Sequence, residues 1–364
     1  MKNFITFILP THNEERNIIP LIKEILDLNI NYEIEIIVVD DDSVDQTQIL
    51  VKKLSKIERR VRLINRIGRY GLSSAINEGC LNSTGEVIAI MDSDGQHEVK
   101  SVYEAIDLLI NGNCDLIIGS RFLEKSSTKG LSAKRKDGSS YANILARNTL
   151  SKEYRDITDY MSGCFVFKTI SCMEEIKKID VNGFKFLYEL LALTKGRLKV
   201  KEIPLQFKSR KFGYSKLDIA VIWDFVISLI HTFINRVIPR KAISFGVVGS
   251  IGVLVHLAMV YFLISITSLS FIQVLPFAGV SAASSNFLIN NMFTFRNKRL
   301  RGIGLFYGLL KFLMVSSIPL VANVGLAASY YTFISPNTFI SQMAGIIVVF
   351  IWNYVASSKF VWKE

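Results

Sequence analysis

The stretch GEVIAIMDSDGQHE, Gly85 to Glu98, decides how the chain folds. Its apolar run from Val87 to Met91 has the length and character of a buried strand. The run ends in two carboxylates, Asp92 and Asp94, two residues apart. On an extended chain that spacing turns both side chains the same way. Gly95 permits a sharp turn, and Gln96 and His97 follow. Carboxylates at the carboxyl end of a buried strand lie where open α/β sheets bind ligands. Hard oxygen donors suit Mg2+ or Mn2+, ions that commonly hold a substrate's phosphates as well. A D-x-D turn alone is also what a solvated acidic loop looks like, so the flanking chain carries the decision.

Outward from this stretch, strands and helices alternate. Ile5 to Pro10 reads as a first strand and leads into THNEE, then a helix to about Leu28. EIEIIVVDDDS is a second strand ending in Asp40, Asp41 and Asp42, with Asp45 placed to cap the next helix. VRLINR, the Gly85 stretch and CDLIIGSR add three more strands, separated by helical patterns. This order implies a mostly parallel sheet with helices on both faces and ligand loops at the strand ends. Beyond Phe122 the pattern loosens. Lys129, Lys134, Arg135 and Lys136 precede an apolar stripe of Tyr141, Ile144 and Leu145, the pattern of an amphipathic helix near a membrane or of an ordinary surface helix. DYMSGCFVFK gives a further strand, GFKFLYELLALTKG a helix, and KVKEIPLQFKSRKFGYSK a strand leading to a basic loop.

Composition divides the chain of 364 residues in two. Ala242 to Phe295 contains no Lys, Arg, Asp or Glu, and Gly302 to Ser358 contains only Lys311. Each stretch has room for two membrane spans of ~20 residues. Residues 242–364 hold seven bases and one acid, +6 of the net +11, leaving +5 for residues 1–241. A basic excess so divided fits a membrane surface and anionic substrates; no basic stripe with interleaved aromatics argues for nucleic acid. Cys80, Cys114, Cys164 and Cys172 are scattered, which fits a reducing compartment. Phe4 to Leu9 is too short for a signal peptide. The segment from Leu217 is apolar on most faces but keeps Asp218, Asp224, His231 and Arg236, which suits an interfacial helix.

The apolar half repeats itself. At an offset of 67 residues, Asn286 to Phe295 aligns with Asn353 to Trp362, and Phe245, Val248 and Ser250 align with Phe312, Val315 and Ser317. Each unit reads as a pair of spanning helices. Arg296, Lys298, Arg299 and Arg301 separate the pairs, and Lys359 and Lys363 end the chain. The positive-inside rule then puts both termini in the cytoplasm. Within the spans only Lys311 and His256 are ionisable, which argues against an ion relay.

Five motifs now stand in order: PTHNE (Pro10 to Glu14), VDDDSVDQT (Val39 to Thr47), DSDGQ (Asp92 to Gln96), GSR (Gly119 to Arg121) and RKFGYSK (Arg210 to Lys216). Together they resemble inverting family 2 glycosyltransferases of the dolichyl-phosphate mannose synthase branch, over about residues 4–217. Residues 241–362 resemble the GtrA family of four-helix membrane domains. His12 stands where the family usually has Tyr, Gln46 where Gly precedes Thr, and Glu98 where Pro often follows Gln-His.

The resemblance implies a Rossmann-like GT-A domain over residues 1–216, an interfacial helix over 217–240 and a four-helix membrane domain over 241–364. It implies transfer of a hexose from a nucleotide diphosphosugar to dolichyl or polyprenyl phosphate by a multi-pass membrane protein, with the catalytic domain in the cytoplasm. GDP-mannose is the leading donor and UDP-glucose the alternative. By resemblance Pro10, His12, Glu14, Val39, Asp41, Asp92, Ser93, Asp94, Gln96, Arg210 and Lys216 serve the donor. Asp94 and Gln96 hold a divalent metal, Mg2+ or Mn2+, with Asp92 beside it, and Arg121, Arg135 and Ser139 take the acceptor phosphate. Asp92, Asp94 and Arg121 are the expected catalytic set. A processive synthase would carry a Q-x-x-R-W motif, which this sequence lacks.

Overall fold

The structure is a computed structural model that describes residues 3–28, 32–68, 71–126, 133–181, 185–208, 219–317 and 338–363. It divides into two compact units, Met1–Phe233 and Ile234–Glu364.

The first unit is built on seven strands: β1 (Phe4–Thr11), β2 (Glu33–Asp40), β3 (Val61–Asn65), β4 (Val87–Ile90), β5 (Leu116–Ser120), β6 (Phe165–Lys168) and β7 (Val200–Pro204). They lie in the order β3-β2-β1-β4-β6-β5-β7. All neighbours are parallel except β6, which runs antiparallel to both β4 and β5. Alternate residues feed opposite faces. On β1, Ile5, Phe7 and Leu9 join one core and Ile8 the other. The first core is covered by α1 (Ile18–Asp27), α2 (Thr47–Ser55) and α4 (Val99–Asn111). The second is covered by α3 (Leu72–Leu81), α5 (Ala133–Thr149), α6 (Thr169–Ile176), α7 (Phe186–Thr194) and α8 (Ile219–Phe233). Helices on both faces leave the strand ends as the open surface, as the strand–helix alternation requires.

One local expectation shifts. Helix α2 starts one residue later than expected: Gln46 is its cap, while Asp45 Oδ1 accepts the N–H of Thr47 at 2.9 Å. Helix α8 packs on the α/β unit, with Leu229 in its core and Phe225 edge-on to Tyr188 at 5.9 Å. Its Ile219, Ile222 and Phe233 stay exposed, as do Tyr141, Ile144 and Leu145 on α5.

In the second unit, α9 (Arg240–Ile266) and α10 (Phe271–Ile289) belong to helical stretches long and apolar enough to cross a membrane. Helix α11 (Ile303–Ser317) and α12 (Thr338–Ala356) are also apolar, but the described apolar stretch of each is shorter. The repeat appears in the backbone itself. A π-helical turn follows α10 at Asn290–Thr294 and another follows α12 at Ser357–Val361, 67 residues on. Trp362 stacks on Phe295 at 4.1 Å, and its indole N–H donates to Asn291 Oδ1 at 3.1 Å. Asn291 also clasps the backbone of Leu300 through both its amide atoms, at 2.8 and 3.1 Å.

At the amino ends of the strands one carboxylate ties four segments together. Glu35 Oε1 accepts the Thr6 hydroxyl at 2.7 Å and the N–H and hydroxyl of Thr84 at 2.8 Å each. Oε2 accepts Arg62 Nη2 at 3.0 Å. Burial by itself would raise the Glu35 pKa; the bonds from Thr6, Thr84 and Arg62 outweigh it and hold the carboxyl below its ordinary 4.5. A depressed carboxylate pKa stabilises the fold above the unfolded value, and that stability is lost as pH falls through the folded one. Glu35→Gln should therefore cost ~1–3 kcal/mol at neutral pH. Thermal melts of both proteins should converge as pH drops below about 4.5; a gap that stays constant with pH would contradict this.

Candidate active site

Six parallel strands deliver their carboxyl ends to one edge of the sheet, and antiparallel β6 delivers its amino end to the same edge. Ile90 of β4 and Ile118 of β5 both pair with Phe165, the first residue of β6. Gly119 N–H donates to Cys164 O at 2.9 Å. The turn preceding β6, Asp159 to Cys164, is thereby laid between the loops that follow β4 and β5.

After β4 the chain leaves the extended form, so Asp92 and Asp94 are placed by a turn rather than by strand alternation. Gly95, at φ 73°, supplies the left-handed step. Asp94 Oδ1 accepts the Gln96 N–H at 3.0 Å, and the Gln96 amide donates to Lys208 O at 2.9 Å. Both side chains are buried. Ser93 donates to Pro10 O at 2.8 Å, joining this turn to the β1 loop. The Asp92 N–H donates to His97 Nδ1 at 3.2 Å, which leaves the His97 proton on Nε2, 3.9 Å from Asp92 Oδ2. Burial pushes the Asp92 carboxyl above its ordinary pKa and Asp94 adds to the rise, while His97, Lys185 and Arg121 pull it back.

The three consecutive aspartates after β2 have separate tasks. Asp40 is fully buried and accepts from Thr11, Ser43 and Gln48 at 2.6–3.1 Å, a structural knot. Asp41 is paired with the buried Arg66 and accepts the Gly71 N–H at 2.6 Å. Arg66 also bonds Glu78 Oε2 at 3.1 Å. Asp42 accepts the Gly68 N–H at 3.2 Å. His12 Nδ1 donates to Asp41 O at 2.9 Å, and the Glu14 N–H donates to Thr47 Oγ1 at 2.9 Å. His12, Glu14 and Asp41 thus share one loop cluster. Val39, near the carboxyl end of β2, has its side chain fully buried in the core near Gly79.

Arg121 follows β5. Its Nε and Nη2 grip Asp159 at 2.7 and 2.8 Å, and Nη2 lies 3.4 Å from Ser139 Oγ. Burial works against its charge, but Asp159 outweighs burial and raises the Arg121 pKa. The expected acceptor residues Arg121 and Ser139 are therefore together. Arg135 lies on α5, its side chain outside the described set, and Arg210 and Lys216 lie outside the described residues.

Asp159, Gly163 and Arg66 were not singled out from the sequence. An added Cβ on Gly163 would sit 2.3 Å from Asp92 Oδ2. The run DYMSGCFVFK reads in the sequence as one strand, but β6 begins only at Phe165 and runs antiparallel, which leaves Asp159 to Cys164 as a turn at the site.

Hard carboxylate and amide oxygens fit a divalent cation completed by substrate phosphates. Among the described residues no cluster of three His, Cys, Asp or Glu forms an all-protein cage. An α/β sheet with acidic and basic groups at one edge offers places there for a cation and for anionic ligands.

Residues 6–174 match the family model described as glycosyl transferase family 2, and residues 244–362 match the GtrA/DPMS transmembrane domain. The chain is 31% identical to a dolichol-phosphate mannosyltransferase of Pyrococcus furiosus, over 98% of this chain and 99% of that protein. It is 30% identical to a polyprenol monophosphomannose synthase of Mycolicibacterium smegmatis, over 58% of this chain and 80% of that one. A solved structure, glucosyl-3-phosphoglycerate synthase from Mycobacterium tuberculosis with Mn2+, UDP and glucosyl-3-phosphoglycerate, is 18% identical with a TM-score of 0.48, covering 64% of this chain and 80% of that one. The chain belongs to the family 2 glycosyltransferases, as a dolichyl-phosphate mannosyltransferase-like member that carries a GtrA/DPMS transmembrane domain.

Gly163→Ala tests whether the turn before β6 is part of the site. The new methyl group must push the Asp92 carboxylate aside, a movement open to a side chain that is 35% exposed. A misplacement of about 1 Å can cost on the order of a hundredfold in rate. The variant should keep its thermal midpoint and lose at least about tenfold in turnover; unchanged turnover would remove Gly163 from the site.

Proposed function

We propose that this enzyme transfers mannose from GDP-mannose to dolichyl or polyprenyl phosphate, with inversion, at the cytoplasmic face of a membrane. The observation that carries this reading is the match to the Pyrococcus furiosus protein along nearly its whole length, catalytic and membrane parts together.

In this reading a phosphate oxygen of the acceptor attacks the anomeric carbon, and the nucleoside diphosphate leaves from the opposite face. The acceptor is already an anion near neutral pH, so no strong base is required; positioning and charge neutralisation supply the rate. Asp94 and Gln96 would hold a divalent ion, with Asp92 alongside. When bound, that ion neutralises the charge developing on the leaving diphosphate. Asp41, already oriented by Arg66 and Gly71, accepts from the N–H edge of the base. Pro10, His12, Glu14 and Ser93 frame the nucleotide, and Arg210 and Lys216 close over the diphosphate. Arg121 and Ser139, with Arg135, receive the lipid phosphate. Arginine suits the task because its planar fork matches phosphate oxygens.

The membrane part has four spanning helices in this reading, with both ends cytoplasmic. The bases from Arg296 to Arg301, and Lys359 and Lys363, support that orientation. The exposed apolar residues of α5 and α8 suit the headgroup boundary, where an acceptor phosphate is found while its tail stays in the bilayer.

Product analysis tests the proposal. Purified full-length protein with Mg2+ and dolichyl phosphate should turn GDP-mannose into an organic-soluble lipid carrying one mannose. UDP-glucose should give little product. A glucosyl lipid, a polymer, or no lipid product from any nucleotide sugar would contradict it.

A further inference from the structure

The guanidinium of Arg121 is held through its Nε and Nη2 edge, where Nη2 also lies 3.4 Å from Ser139 Oγ. Nε donates to Asp159 Oδ2 at 2.7 Å and Nη2 to Oδ1 at 2.8 Å, a fork-to-fork pair. The Arg121 backbone N–H adds a third bond, to Oδ2 at 3.2 Å, and the Met161 N–H a fourth, to Oδ1 at 3.2 Å. Two donors on each oxygen fill the four lone-pair sites of the carboxylate. Asp159 is fully buried, and all four of these bonds stay within the protein.

The other end of the fork is different. Among the described residues Nη1 hydrogen-bonds to none, and the rings of Phe122 and Phe207 lie 5.6 and 5.7 Å from Cζ. Asp159 is in turn fixed from β7. Glu202 accepts the N–H of Asp159 at 3.1 Å and the N–H of Thr158 at 2.9 Å. The Thr158 hydroxyl meets Ser120 Oγ at 2.6 Å, at the end of β5. A two-stage brace thus runs from β7 through the turn before β6 to the arginine after β5.

We propose that Asp159 is a positioning residue for the transfer: it fixes Arg121 so that Nη1 is the end presented to the acceptor phosphate, and Glu202 holds Asp159 in place. The proposal rests on Arg121 serving the acceptor. A guanidinium free to turn would spread its donors over many orientations; a clamped one meets the phosphate with little ordering cost.

The test measures kcat and separate KM values for GDP-mannose and dolichyl phosphate in wild type, Arg121→Ala, Asp159→Asn, Asp159→Glu, Glu202→Gln and the double variant Arg121→Ala/Asp159→Asn. Partners that orient a functional group typically contribute about ten- to a hundredfold. Asp159→Asn should raise the acceptor KM by about tenfold or more, with donor KM within about twofold of wild type. Asp159→Glu should recover part of the loss, and Glu202→Gln should shift the acceptor KM in the same direction by less. The double variant should be no worse than Arg121→Ala alone, because the two residues act as one. Removing both partners leaves no buried lone charge, so the double variant remains informative if Asp159→Asn folds poorly. Additive losses, or a normal acceptor KM in Asp159→Asn beside a raised one in Arg121→Ala, would overturn the proposal. If Arg121→Ala itself leaves the acceptor KM unchanged, the assignment of Arg121 fails first and the brace loses its purpose.

Discussion

The antiparallel course of β6 is the constraint on which the site depends. In a sheet of parallel strands only carboxyl ends reach the ligand edge. Because β6 is inserted backwards between β4 and β5, the turn before it arrives there too. That turn brings Asp159 to Arg121 and places Gly163 where any larger residue would strike Asp92. The acidic loop of β4 and the basic loop of β5 are therefore spaced by a third segment, packed against both.

Their charges are interdependent. Asp92 is pushed up by burial and by Asp94, and Arg121 is among the groups that pull it back. Burial disfavours the Arg121 charge, and Asp159 beside it more than compensates. Asp92 and Asp94 repel one another, so a cation beside the pair is favoured. A substrate that brings a diphosphate on a metal ion to one side and a phosphate anion to the other meets both needs.

Much of this was legible in the sequence, for definable reasons. Strand runs such as ITFILP and IIVVD are almost continuously apolar because both faces of the sheet are covered, and their alternation with helices fixes the fold class. Asp94 and Gln96 fall on one buried turn, and Arg121 and Ser139 meet, as the motifs implied. The 67-residue repeat reappears as two π-helical turns. Strand direction was not legible: hydrophobic periodicity is the same for parallel and antiparallel strands, so Asp159 and Gly163 went unnoticed. Long-range pairing was equally hidden. Nothing local in VRLINR marks Arg66 as the buried partner of Asp41, 25 residues earlier.

The central claim is that the turn after β4 binds the donor diphosphate through a divalent ion. Calorimetric titration of GDP onto the full-length protein, with and without Mn2+, tests it without relying on turnover. GDP should bind wild type markedly more tightly with Mn2+ present, and Asp94→Asn should lose that difference while keeping the wild-type thermal midpoint. Equal GDP affinity with and without metal in wild type, or a full metal effect in Asp94→Asn, would contradict the account.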